Sequence, residues 1–299
     1  MAYLQPILTR ERTIKSIRNF FYQLNFHEII TPVLNNAIPN EPNLYSFITR
    51  WKTNRGEQTF FLPMSPERSL KLSLAKGIDN CFSIGHSFRN LEQESPLHSP
   101  EFLMLEWYRT DADYHQIMDD VKELIKFLNY ESCRQAGRLR ITNLPDSWPI
   151  FSLPELFKKY TKHDLIKLTN DETKRSDYDK IFCNEIESRL PKEPFFITDF
   201  PASISPLCRP KKDNPLLAER FEFYINGIEL GNGNTENTDW KSVKKVFESQ
   251  KKKNNYPVDE DFLNALKTLD ESGKTYAGVG IGIDRLTAIL GGANHIKLV

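Results

Sequence analysis

From Thr9 to Leu24 the apolar positions Ile14, Ile17, Phe21 and Leu24 recur at the three-and-four spacing of one helical face. That spacing predicts an amphipathic helix beginning near Thr9–Glu11. The β-branched stretch Glu28-Ile29-Ile30-Thr31 follows and is stopped by Pro32. Residues 35–58 carry Asn, Pro and charge without periodicity and read as loop. Pro66 and Glu67 open a second helix, with Leu70, Leu72 and Leu74 inside it and Gly77 as its stop.

The period then changes from helical to alternating. Phe82, Ile84, His86 and Phe88 share one face of a strand running from Cys81 to Arg89, and Ser83, Gly85 and Ser87 share the other. A polar loop, 90–100, leads to a return strand ending at Tyr108, so the two make a hairpin with an unusually long connection. Residues 114–139 read as helix, and 140–200 as charged helical stretches broken by prolines. A second hairpin, Phe221 to Gly231, turns at Asn226-Gly227, a strong two-residue turn signal. A charged helix follows, whose Lys251-Lys252-Lys253 run reads as a solvated face. Gly278, Gly280 and Gly282 then alternate along a last strand before Arg285 begins an apolar helix.

The 299 residues are 39% hydrophobic and 12% aromatic, enough for a sizeable core. With no internal repeat and no clear linker, the chain reads as one α+β domain, 1–299, with antiparallel hairpins at its centre. Forty Lys and Arg balance 40 Asp and Glu, so the bulk positive charge of a non-specific nucleic-acid binder is missing. Four scattered cysteines form no disulfide or zinc pattern and read as thiols of a reducing compartment. No signal peptide and no apolar run of membrane-spanning length is visible, which predicts a soluble, cytoplasmic protein.

The second hairpin carries the first candidate chemistry. An uninterrupted two-residue turn sets Ile225 opposite Ile228, Tyr224 opposite Glu229 and Phe223 opposite Leu230. Glu222 and Glu229 are then diagonal neighbours on one face, roughly 7–8 Å apart at the backbone. Two carboxylates so placed repel unless a cation such as magnesium lies between them; the bland alternative is a solvated face or a pair with Arg220. Glu236 adds a carboxylate just downstream, four residues after Asn232. On the first hairpin Phe102, Met104, Glu106 and Tyr108 share a face. Phe102 and Glu106 stand about 13 Å apart along it, which suits a ligand with a flat ring at one end and a cation at the other. Arg89 ends the outgoing strand, where its guanidinium can fork onto a phosphate or carboxylate. His98 in the polar loop can reach a phosphate. The spacing G-x-G-x-G-x-D-R is not a dinucleotide fingerprint; its alternate glycines leave one strand face bare, open to a ligand.

The order of these segments is more specific than any one of them. The helix and strand ending at Pro32, Phe88-Arg89-Asn90 with Pro100-Glu101-Phe102, and Gly280-Ile281-Gly282-Ile283-Asp284-Arg285 resemble motifs 1, 2 and 3 of the class II aminoacyl-tRNA synthetases. Ser65-Pro66-Glu67, Leu105-Glu106-Trp107-Tyr108 and Ile228-Glu229-Leu230 through Glu236 are similar to the lysyl branch. With motif 1 starting near residue 10, the expected layout lacks an anticodon-binding domain, as in the elongation factor P–lysine ligases.

The resemblance implies an antiparallel sheet flanked by helices and a homodimer formed through motif 1. It implies ATP-dependent activation of lysine or β-lysine and transfer to elongation factor P, with tRNA not expected as a partner. A stripped-down lysyl-tRNA synthetase-like enzyme charging tRNA or a small molecule, and a non-catalytic paralogue acting as a binding protein, are the rival expectations. By the same resemblance Arg89 and Arg285 are catalytic. Arg89, Glu92, His98, Phe102, Glu222, Glu229 and Arg285 bind ATP, with magnesium on Glu222 and Glu229. Glu67 takes the substrate's backbone amine and Asn232 its carboxylate, Glu106, Tyr108 and Glu236 enclose the ε-ammonium, and Gly280 borders the substrate.

Overall fold

The computed structural model describes residues 4–91, 95–136, 141, 144–171 and 173–292. Helix α1 (Leu4–Gln23) leads to the short strand β1 (His27–Glu28), the hairpin β2 (Ile48–Thr53) and β3 (Gly56–Phe61), and α2 (Glu67–Ala75). Strands β4 (Cys81–Phe88) and β5 (Glu101–Thr110) precede the long helix α3 (Tyr114–Ala136). Next come β6 (Ile150–Ser152), α4 (Leu153–Tyr160), α5 (Leu165–Asn170), α6 (Arg175–Ile181) and β7 (Phe195–Thr198). The hairpin β8 (Arg220–Ile225) and β9 (Ile228–Thr235) is followed by α7 (Trp240–Asn254), α8 (Glu260–Glu271), β10 (Tyr276–Gly282) and α9 (Ile283–Gly291).

Among the described residues, eight strands form one sheet in the order β1-β4-β5-β10-β9-β8-β7-β6. Only the edge pairs β1–β4 and β6–β7 are parallel; the central strands are antiparallel. The expected class, a helix-flanked α+β sheet, is what forms. One face packs on α1, α3 and α9. Leu103, Leu105 and Trp107 of β5, Ala277, Val279 and Ile281 of β10, and Phe221, Phe223 and Ile225 of β8 supply that core, with Phe21, Ile117, Val121 and Leu286 from the helices. Phe21 stacks on Phe82 at 4.8 Å between centroids and meets Trp107 at 5.1 Å. Truncating a buried ring of this kind costs about 3–5 kcal/mol. The alternate residues of the same strands therefore face away from the core, and the site is built there.

The hydrophobic pattern located most elements, with instructive exceptions. Helix α1 starts at Leu4, ahead of the expected Thr9–Glu11, and the strand expected at 28–32 shrinks to two residues, leaving Ile30 94% exposed. Residues 35–58 are not all loop: β2 and β3 form a hairpin whose exposed residues show no apolar alternation. The proline-broken stretch after 144 carries its own core, in which Leu153, Phe157, Phe182, Phe195 and Tyr224 pack together. Helix α8 was not expected. Its buried Phe262, Leu266 and Leu269 follow the helical period. It lies against α2, tied there by an Arg68–Asp259 ion pair at 2.5 Å.

Candidate active site

The site begins with a row of paired backbones. Ser83 pairs with Glu106, Glu106 with Gly280, Gly280 with Asn232, and Asn232 with Glu222, so one line crosses β4, β5, β10, β9 and β8. Cross-strand partners share a face, and this row points away from the helix-packed core. The register corrects one expectation. Tyr224 pairs with Glu229 and Ile225 with Ile228, but Phe223 pairs with Gly231, because Leu230 is an extra residue bulged into β9. Asn226 (φ 57°) and Gly227 (φ 72°) form the expected turn.

At one end of the row lies a pocket of buried charge. The Lys71 side chain on α2 is fully buried, and its Nζ lies 2.5 Å from Glu67 Oε1 and 2.5 Å from Glu236 Oε2. The rings of Phe262 and Tyr108 flank it at 5.2 and 5.8 Å from their centroids. Beside it Tyr108 donates to Glu106 Oε1 at 2.7 Å, and Asn234 donates to Glu236 Oε1 at 3.0 Å. Burial, then the charge of Glu67, pushes the Glu106 carboxyl up to about 8. Burial likewise raises Glu236 to about 7, although Lys71 opposes the shift. Carboxylates held this far above their usual range need a further cation to ionise fully.

Beside the middle of the row is a recess of about 600 Å³ lined by Arg89, His98, Phe102, Glu229, Asn232, Gly280 and Arg285. The Arg89 guanidinium lies over the Phe102 ring, 5.3 Å from its centroid, and its buried Nε has no hydrogen-bond partner in the described structure. Arg285, from the first turn of α9, donates to the Glu229 backbone oxygen at 2.9 Å and to the Leu97 oxygen at 3.2 Å. Its Nη2 lies 3.0 Å from His98 Nε2. The motif 2 loop and the second hairpin are thus bridged by one guanidinium.

Glu222 and Glu229 lie near enough for their charges to interact. Burial raises Glu222 to about 7, with the charge of Glu229 as the next cause. Arg220 donates to Glu222 Oε1 at 3.0 Å and Tyr224 to Oε2 at 2.8 Å, so the Arg220 pairing considered from sequence is present. Neither bond exhausts the lone pairs of a carboxylate. Among the described residues no three acidic, His or Cys groups cluster as a self-sufficient metal site. Two carboxylates with remaining lone pairs suit magnesium, which takes few protein ligands and completes its shell with phosphates and water.

The alternate glycines have distinct roles. A Cβ on Gly278 would stand 2.4 Å from the Tyr108 ring, whereas one on Gly280 would meet only Met104 Sδ at 3.4 Å and Glu106 Oε2 at 3.9 Å. The bare face therefore seats a tyrosine at one glycine and opens into the pocket at the next. All the site residues expected from sequence fall on or around this face except Glu92, which lies outside the described residues. Lys71 was missed. Four residues after Glu67 on a helix, it reads as an ordinary solvated pair, and only the fold shows Glu236 closing over it.

The sequence matches a known group of enzymes. The family described as tRNA synthetases class II (D, K and N) covers residues 2–299, and the chain belongs to that family. Within it the chain is a ligase of the lysyl-tRNA synthetase-like kind. It is 32% identical to an elongation factor P–(R)-β-lysine ligase of Buchnera aphidicola, over 100% of this chain and 95% of that protein. It is 31% identical to a lysine–tRNA ligase of Actinobacillus pleuropneumoniae and 34% identical to lysine–tRNA ligase 2 of Methanosarcina mazei. The chain spans 62% and 60% of those two relatives' lengths. Among the described residues no helix is long and apolar enough to cross a membrane.

Proposed function

We propose that this chain activates lysine, as the α or the β isomer, with ATP and transfers it to a lysine side chain of elongation factor P. One observation carries the amino-acid assignment. A buried pocket with Glu106, Tyr108 and Glu236 opens on the same face as Arg89 and Arg285, three strand spacings along the row from Glu222. Such a pocket accepts a desolvated ammonium, and it penalises a side chain that leaves its carboxylates unpaired by several kcal/mol.

In this reading Phe102 stacks on the adenine, and Arg285 with His98 holds the terminal phosphates. The unpartnered Nε of Arg89 gains an acceptor when its guanidinium takes the α-phosphate and the substrate carboxylate. Glu67 and Asn232 orient the amino-acid head. Magnesium held by Glu222 and Glu229 would neutralise phosphate charge during transfer. A substrate carboxylate oxygen attacks the α-phosphorus, the bond to the bridging oxygen breaks, and pyrophosphate leaves with that electron pair. Arg89 and Arg285 stabilise the charge that develops. The acceptor amine then attacks the acyl carbon, releases AMP and loses a proton, leaving an amide.

The elongation factor P acceptor is supported by the Buchnera ligase, which matches along nearly its whole length. The lysine–tRNA ligases support a second reading in which tRNA is charged. Exposed Ile30, Val33 and Leu34 after α1 supply an apolar surface suited to the homodimer expected through motif 1. ATP–pyrophosphate exchange with each lysine isomer tests the activation step. Exchange with at least one isomer, abolished in Glu229→Ala, is expected; wild-type exchange in that variant would remove the metal assignment.

A further inference from the structure

The loop between β1 and β2 carries a carboxylate that no step above uses. Glu41 lines the same recess as Ser65 and Glu67 at the start of α2, and no described residue hydrogen-bonds or ion-pairs with it. Its position is held from both sides. Asn35 exchanges backbone hydrogen bonds with Phe61, and Asn90 donates to the Tyr45 oxygen at 2.8 Å. The adjoining Asn40 is 1% exposed and pairs its amide with that of Asn254 at the end of α7. Ile38 packs with Phe61, Met64 and Tyr256. These four contacts anchor the strap on both sides of Glu41.

The charge balance of the pocket gives Glu41 its purpose. Glu67 and Glu236 share the single ammonium of Lys71. A lysine-type substrate brings two more ammonium groups, one at each end. Glu236 and Glu106 face the distal one. The amine near the substrate carboxylate meets Glu67, whose charge Lys71 already partly neutralises, so Glu67 alone is a weak partner. Burial and the charge of Glu67 push Glu41 up to about 8 against the opposing charges of Lys71, Arg89 and Arg220, so a further cation beside it would favour its ionised form.

Resting on the lysine-activation reading, we propose that Glu41 is the second carboxylate for the substrate amine nearest its carboxylate, selecting amino acids that carry that amine. Glu41 and Glu67 then form a two-carboxylate clamp, distinct from the ε-ammonium pocket. The α and β isomers differ by one carbon in where this amine stands, so a clamp with one member on α2 and one on the strap can serve both. An amino acid lacking the amine leaves both carboxylates facing each other.

Calorimetric binding to the full chain separates this role from a structural one, with L-lysine, (R)-β-lysine and 6-aminohexanoate, which is lysine without its backbone amine. Glu41→Gln should weaken both lysine isomers about tenfold or more and leave 6-aminohexanoate within about twofold. The ATP KM in pyrophosphate exchange should stay unchanged, and Glu41→Asp should recover part of the lysine affinity. Equal loss for all three ligands, or unchanged lysine binding, overturns the proposal. A wild-type chain that binds 6-aminohexanoate and neither isomer more tightly also overturns it. Failure of the wild type to bind any of the three sinks the lysine reading itself, and the clamp with it.

Discussion

Asn232 stands directly across from Glu222 because Leu230 is an extra residue in β9. Without that bulge Asn232 would pair with Phe221 and project into the helix-packed core. One inserted residue thus moves an amide from the core side into the row shared with Glu106 and Glu222, where it lines the recess beside Arg89 and Arg285. Asn232→Ala should remove a hydrogen bond to a charged substrate group, worth about 1.5–3 kcal/mol, or roughly 10- to 150-fold in kcat/KM for lysine. The ATP KM should hold. Steady-state pyrophosphate exchange measures both, and an ATP-only defect would contradict the placement.

Lys71 makes a structural prediction. Replacing it with Met leaves the carboxylates of Glu67 and Glu236 without their shared cation. Breaking a buried pair from one side typically costs about 3–5 kcal/mol. Urea denaturation should show that loss in Lys71→Met and a partial recovery when Glu236→Gln is added. A loss under about 1 kcal/mol would mean the ammonium is not held as the geometry indicates.

The raised Glu106 gives stability a pH dependence with a definite sign. Its folded-state pKa, about 8, lies above that of an unfolded carboxyl. The folded state therefore holds more protons between the two values, and this contribution is lost as pH rises toward 8. Substrate-free Glu106→Gln should accordingly gain Tm relative to wild type across roughly pH 5 to 8. A constant difference across that range would mean Glu106 is ionised throughout. Bound lysine should shrink the gap by giving the wild-type carboxylate a counter-ion.

Two glycines only two residues apart should respond in opposite ways. Gly280→Ala meets ordinary contacts, so its stability should stay within about 0.5 kcal/mol of wild type. The added methyl narrows the substrate pocket and should alter the preference between lysine isomers by about 1–3 kcal/mol. Gly278→Ala drives a methyl into the Tyr108 ring, which should pull its hydroxyl from Glu106 and raise the lysine KM. Thermal melts with exchange assays on both isomers distinguish the two.

The parts of this fold legible in the sequence are those where the two faces of a strand differ in chemistry. In β5 the apolar Leu103, Leu105 and Trp107 enter the helix-packed core while Glu106 and Tyr108 lie buried on the other face, and Asn226-Gly227 announces its turn. The face carrying Phe102, Met104, Glu106 and Tyr108 was readable for the same reason. The β2–β3 hairpin was not, because Ile48 to Thr53 are exposed on both sides and no core imposes a period. The bulge at Leu230 was hidden because its apolar side chain suits either register. Lys71 and Glu41 escaped because their significance lies in tertiary neighbours: Glu236 is 165 positions from Lys71, and the strap around Glu41 closes through Asn254.

The acceptor competition bears most directly on the central claim. The chain is supplied with ATP, magnesium and labelled L-lysine or (R)-β-lysine, together with purified elongation factor P and total tRNA. Label on a lysine side chain of elongation factor P, with pyrophosphate released in equal amount, is the predicted result. Label carried only by tRNA, or no label and no pyrophosphate with either isomer, would contradict it.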